Sequence, residues 1–215
     1  NIISGNAQNG LLVTGNSSTG NLIQGNFIGT DAAGTAAVGN GAVNPGNING
    51  VIIGGSNNTV GGTTAGARNI ISGNGNNGLE LDGTNNTAQG NYVGTDVTGN
   101  VALGNFRDGI IINGTNDIIG GTTAAARNVV AGNNGIGIDV CCGGGATGNQ
   151  VQGNYIGLGA DGLTAVGNSD GVRIASGNKN NTIGGTAAGA RNIISGNFSI
   201  GVELLEIGTS NNLVQ

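Results

Sequence analysis

The sequence predicts an all-β fold: a single chain wound into a parallel β-helix, or β-solenoid, of about seven coils of ~26–40 residues, three strands to a coil. Three observations predict it. A phrase of about 64 residues repeats along the chain. Apolar residues alternate with period two in short runs. Glycine and asparagine separate those runs, with no helical period between them.

The repeat sets the organisation. "NIISGN" opens the chain at Asn1 and returns at 69, at 128 as "NVVAGN" and at 192. "GNFIG", "GNYVG" and "GNYIG" begin at 25, 90 and 153. The chain thus reads as one continuous solenoid of modules 1–68, 69–127 and 128–191, with 192–215 opening a fourth. This predicts a segment of a longer array. Neither edge reads as a polar cap, so flanking capping domains or head-to-tail stacking of copies are the expected partners.

The strands follow from a marker, Gly-Φ-x-Φ with Φ apolar, at 10, 50, 78, 109, 135, 171 and 201. Its first and third Φ are always apolar, as in Val51 and Ile53, Leu79 and Leu81, or Ile136 and Ile138. The residue between them varies: Leu12, Ile52, Glu80, Ile111, Gly137, Arg173 and Glu203. One buried and one variable face is the signature of a strand. A second column, Asn-x-Φ-x-Gly, points Ile3, Ile23, Val60, Ile71, Ala88, Val130, Val151, Ile183 and Ile194 inward, and "DIIGG" adds Ile119 with Asp leading. Coils then stack at ~4.8 Å with aliphatic columns inside. Glycine serves corners with positive φ, and asparagine tolerates them while its amide bonds to the next coil as a ladder.

Composition narrows the function. The chain has 215 residues, 48 of them glycine, with about three dozen asparagines, 2% aromatics, 8% charged residues and no His, Met or Trp. Disorder is excluded because Ile, Val and Leu recur at fixed places. A net charge of −5 and no basic stripe set nucleic acid aside. No apolar run approaches the ~18 residues of a membrane span.

The phrases "NNTIGGTAAGARNIISGN" and "GNYVGTD" resemble the right-handed parallel β-helix repeats of secreted bacterial and archaeal proteins, within the broad pectate-lyase-like group. The resemblance covers nearly the whole chain. It implies right-handed winding and an extracellular or cell-surface microbial location. That fold hosts lyases, hydrolases, adhesins, tailspikes and plain shafts, so function must be argued from sites.

The candidate catalytic set is the outward face of the Gly-Φ-x-Φ column: Glu80, Asp82, Asp139, Arg173 and Glu203, with Asn113 among them. Enzymes of the resembled group carry acids on such a face. Asp82 and Asp139, two coils apart, would stand roughly 9.6 Å from one another, near the ~6.5–9.5 Å of an inverting carboxylate pair. The competing reading is a solvated face with scattered charge. Weak calcium candidates are Asp31 and Asp96 in "GTDAAG" and "GTDVTG" and Asp161 in "GLGADG", where the aspartate is shifted; each loop offers one carboxylate, where calcium wants six to eight oxygens. These aspartates alternate along the chain with Arg68, Arg127 and Arg191. If both loop types share a corner, opposite charges stack on adjacent coils and fix register; a ladder binding ions or sulfated glycans is the functional alternative. Phe27, Tyr92 and Tyr155 recur at equivalent places, which predicts a stacked aromatic column filling a corner, or a sugar platform. Adjacent Cys141 and Cys142 allow a vicinal disulfide, free thiols or a link to another chain. Sequons at Asn16, Asn57, Asn85, Asn113, Asn180 and Asn197 arise by default in so Asn-rich a repeat.

Two functions are therefore expected. The first is a non-catalytic structural or adhesive segment: a stalk, sheath or filament-forming surface protein with no cofactor. The alternative is a polysaccharide lyase, glycoside hydrolase or glycan-binding module using the Glu80–Arg173 face, with surface polysaccharide as partner.

Overall fold

A computed structural model describes residues 1–15, 17–41, 48–142 and 145–215. The sequon at Asn16 and the two glycines after Cys142 lie outside the described residues. The chain forms three parallel sheets of seven strands each, a right-handed parallel β-helix of seven three-strand coils. Sheet A holds Ile2–Ile3, Phe27–Ile28, Ile70–Ile71, Tyr92–Val93, Val129–Val130, Tyr155–Ile156 and Ile193–Ile194. Sheet B holds Leu11–Val13, Val51–Ile53, Leu79–Leu81, Ile110–Ile112, Ile136–Val140, Asp170–Ile174 and Val202–Leu204. Sheet C holds Leu22–Ile23, Thr59–Gly61, Thr87–Gln89, Ile118–Gly120, Gln150–Gln152, Thr182–Ile183 and Leu213–Val214.

Each coil runs A to B to C. The predicted single Asn-x-Φ column is two columns, because sheets A and C are both entered through asparagine. Ile28, Ile71, Val93 and Val130 superpose in sheet A. Val60, Ala88, Ile119 and Val151 superpose in sheet C. With the sheet B column they make one continuous core of aliphatic side chains.

In sheet B the column reads Ile53, Leu81, Ile112, Val140 and Ile174. The predicted register is corrected here by two residues: Ile138 lies over Ile110, and Val140 rather than Ile138 lies over Ile112. The cause is the glycine that fills the corner. A Cβ on Gly109 would come within 2.6 Å of the Gly137 carbonyl oxygen, and one on Gly137 within 2.8 Å of the Gly171 carbonyl oxygen. Gly137, not Gly135, is the glycine in register with Gly109 and Gly171, while Gly135 lies just before it, against Asp108 and Arg107. The slip preserves parity, so the core survives it, but Asp139 instead of Gly137 takes the outward place between Ile111 and Arg173.

Three side-chain ladders bind the coils. At the C-to-A corner Asn1, Asn26, Asn69, Asn91, Asn128 and Asn154 each donate Nδ2–H to the Oδ1 of the next, ending at Asn192, at 2.9–3.1 Å. At the A-to-B corner Asn6, Asn40, Asn74, Asn105, Asn133 and Asn168 do the same, ending at Asn197, at 2.8–3.0 Å. Spare N–H groups reach backbone carbonyls, as from Asn91 to Val60 and from Asn128 to Ala88. The third ladder, at B to C, contains Asn21, Asn58, Asn86, Asp117, Asn149, Asn181 and Asn212. Beside it Asn57, Asn85, Asn116, Asn180 and Asn211 take φ of 57–59°, the left-handed turn predicted for asparagine.

The 64-residue module is one plain coil plus one decorated coil. Decorated coils carry a long A-to-B loop with Asp31, Asp96 or Asp161, and a C-to-A loop with Arg68, Arg127 or Arg191. Two of these C-to-A loops contain a single 3-10 turn, Ala65–Ala67 and Ala124–Ala126. Aspartates and arginines thus occupy different corners of the same coil, and the expected alternation of charge at one corner is corrected.

Candidate functional site

The outward row of sheet B, in register, reads Leu12, Ile52, Glu80, Ile111, Asp139, Arg173 and Glu203. Asp82 and Asn113 stand two residues further along their strands. Of 6 basic and 11 acidic residues in the chain, nine lie on this face or its borders: Glu80, Asp82, Arg107, Asp108, Asp139, Asp170, Arg173, Glu203 and Glu206. The surface charge is therefore concentrated, not scattered.

Two clusters form. In the first, Glu80 accepts hydrogen bonds from the Nδ2 of Asn49 and, at 3.1 Å, from that of Asn113, which also donates to Asp82 at 2.9 Å. Asn49 is itself fixed, because its Oδ1 accepts from Asn76 Nδ2 at 2.8 Å and the Asn77 backbone N–H at 3.1 Å. Burial, and then the Asp82 charge, push the Glu80 pKa up to about 7. Glu80 is thus able to hold a proton close to neutrality. A cavity of ≈320 Å³ opens here, lined by Glu80, Arg107, Asn113, Ile52, Ile111 and Cys142.

In the second cluster Arg173 grips Asp139 as a fork, Nε to Oδ1 at 3.0 Å and Nη2 to Oδ2 at 2.6 Å. Asp139 is 1% exposed, and this is the one ion pair among the described residues. Burial pushes the Asp139 pKa up and the Arg173 hydrogen bonds oppose that, while Asp139 raises the pKa of Arg173. A carboxylate held this way is not free to act as a base. Asp82 and Asp139 do not share a row, so the distance expected from coil spacing alone does not apply to them. Glu80 and Asp139 share it instead, with Ile111 between. Glu203 lies next to Arg173 in register and half-buried.

The other candidates resolve separately. Asp31 accepts from the Thr35 and Ala36 N–H groups, Asp96 from Thr98 and Val101, and Asp161 from Leu163 and Thr164. Backbone N–H donors hold the Asp31 and Asp161 carboxyls below their usual range. Each aspartate thus caps its own turn, and the three sit in three loops instead of converging on one ion site. Phe27, Tyr92 and Tyr155 share the outer row of sheet A, but Ile70 and Val129 stand between them. They therefore do not stack on one another, which corrects the expected aromatic column. They pack in an outer apolar layer, and a Cβ on Gly99 would meet the Tyr92 ring at 2.7 Å. Cys141 and Cys142 form a vicinal disulfide, one of the three states the sequence allowed. Asp139 and both sulfurs lie within 4.8 Å of one another, but joined sulfurs offer no thiolate to a metal. Among the described residues no helix is long and apolar enough to cross a membrane.

Sequence reasoning missed Asn49, Asn76 and Arg107, which only the coil stacking brings to Glu80. The equivalent loops expected for Arg68, Arg127 and Arg191 do fall on one corner, but without the aspartates between them. No protein-family profile matches the chain, and no curated protein or solved structure matches it either.

Proposed function

We propose that the chain is a non-catalytic structural shaft of a microbial extracellular or cell-surface protein, as in a stalk, sheath, adhesin segment or filament. The observation that supports this most is the set of asparagine ladders, two of them unbroken through all seven coils and a third interrupted only at Asp117. Such ladders stiffen a rod whose length is set by coil number and not by the size of a core. Kinship with the pectate-lyase-like group belongs to the same proposal and rests on the repeat phrases. Further coils, from a capping domain or a second copy stacked head to tail, would continue the ladders without new chemistry. Electron microscopy of the purified chain tests this. Shafts or filaments are expected; compact monomers that bind or cleave a uronide would contradict it.

The Glu80–Asp82–Asn113 cluster beside its cavity favours a second reading, a polysaccharide lyase, hydrolase or glycan-binding module. Glu80 would act as proton donor, with Arg107 at the cavity wall for an acidic sugar. A product assay on polyuronides with the natural chain and Glu80→Gln decides it: turnover lost in the variant supports this reading, and no turnover by the natural chain removes it.

A further inference from the structure

We infer that the corner between sheets C and A is a binding edge for a linear anionic polysaccharide bearing one carboxylate or sulfate on every second sugar. This goes beyond the shaft proposal and uses a surface far from the sheet B clusters. Arg68, Arg127 and Arg191 all lie on this corner, at two-coil intervals of about 9.6 Å. The corner segments, and the outward rows of the flanking sheets A and C, contain no Asp or Glu. Half of the chain's 6 basic residues therefore stand on an edge free of acids, although the whole chain carries −5.

Two of the guanidinium groups are built into place in the same way. Arg68 donates Nε–H to the Gly90 carbonyl at 3.1 Å and lies 4.1 Å from the Tyr92 ring centroid. Arg127 donates Nε–H to the Gly153 carbonyl at 3.1 Å and lies 4.0 Å from the Tyr155 centroid. Anchoring by Nε and one π-face leaves the terminal nitrogens outward, without an acidic partner among the described residues. Ordering them in advance removes part of the entropy that binding would otherwise cost. Between Arg127 and Arg191 lies an open cavity of ≈740 Å³ reached also by Thr186 and Gln215. Gln89 and Gln152 hold outward places in the coils between, at the end of their sheet C strands.

The edge so alternates a cation with a neutral hydrogen-bonding amide, coil by coil. An extended pyranose chain advances by close to one coil spacing per sugar. An acid on alternate sugars would then meet each arginine, and hydroxyls would meet the glutamines. Nucleic acid fits less well. A duplex strand presents a phosphate every ~3.4 Å of axis, far denser than one guanidinium per two coils, and Tyr92 is too buried for a base to stack on it.

Binding of hyaluronate, neutral dextran and a DNA duplex by the whole chain, at low and physiological salt, tests the inference. The natural chain is expected to bind hyaluronate in preference to both others, less tightly as salt rises. The Arg68→Gln/Arg127→Gln double variant should bind roughly ten-fold or more weakly, and Lys179→Gln, which removes an exposed cation away from this corner, should bind unchanged. If loss of the ring contacts unfolds the double variant, the exposed Arg191→Gln, which stacks on no ring, must still weaken binding several-fold. Absent binding by the natural chain, equal binding of dextran, tighter binding of DNA, or arginine variants that bind as well as the natural chain would each overturn it.

Discussion

Asp117 is the one acid in the asparagine ladders, and replacing it with asparagine should stabilise the protein. Its side chain is fully buried. Oδ1 accepts from the Asn86 backbone N–H at 2.6 Å, but Oδ2 takes the place of an amide nitrogen and has no partner, and neither does Asn86 Nδ2. In the neighbouring rung Asn149 uses its nitrogen to reach Gly114 and Asn181 Oδ1. A carboxylate cannot donate, so burial pushes the Asp117 pKa from 3.8 up to about 7. The folded state then holds a proton that the unfolded chain releases. Stability from this group is full below the unfolded pKa and falls as pH rises towards the folded one. A rise of that size corresponds to about 4 kcal/mol lost once pH exceeds both values. Chemical denaturation of the natural chain and Asp117→Asn at pH 4 and pH 8 measures this. Glu80 titrates in the same window, but cancels in the difference between the two proteins. The variant should gain up to about 4 kcal/mol at pH 8 and little at pH 4. A gain that is absent at pH 8, or equal at both pH values, would mean that the buried, unpartnered oxygen does not carry the cost assigned to it.

Asn128→Ala breaks the ladder at its middle: it removes the acceptor of the buried Asn91 backbone N–H and the donor to the Ala88 carbonyl, and should destabilise by about 1–3 kcal/mol in denaturant titrations. Gly137→Ala should destabilise by about 1–3 kcal/mol, because its Cβ would meet Gly171 O at 2.8 Å, whereas Gly66→Ala meets nothing within 4 Å and should be close to neutral in Tm. Arg173→Gln leaves Asp139 buried without its cation. Discounted for the partial exposure of Arg173, the loss should be about 1–3 kcal/mol at pH 8, shrinking as pH falls, because burial raises the Asp139 pKa and an uncharged carboxyl needs no cation.

The fold was legible because each of its rules is local and repeated. Period-two aliphatics such as Leu79 and Leu81 give strands, and Asn57 and Asn85 give left-handed turns. Register was less legible. "NNGIGIDV" offers two glycines, Gly135 and Gly137, and parity is satisfied by either. Both are crowded, Gly135 against Asp108 and Arg107 and Gly137 against Gly171 and Asn168, and only the stacked coils show that Gly137 is the one in register with Gly109 and Gly171. That slip is also why Asp139 was not seen to meet Arg173. The corner taken by the Asp and Arg loops was illegible for a related reason. Sheets A and C share the Asn-x-Φ entry, so their strands cannot be told apart before coils are stacked. The Glu80 cluster draws Asn49, Asn76 and Asn113 from three coils, and no spacing within one coil encodes it.

Ladders, core columns and arginine edge all require consecutive coils to superpose along one axis, and a series of electron–electron distances reads that out. Spin labels on cysteines replacing Leu22 and, in turn, Thr87, Gln150 and Leu213 occupy one outward row of sheet C, two, four and six coils apart. At ~4.8 Å per coil the stacking predicts separations near ~10, ~19 and ~29 Å, rising linearly with coil number. Distances that do not rise in proportion, or that leave Leu22 and Leu213 no farther apart than Leu22 and Gln150, would rule a single stacked axis out.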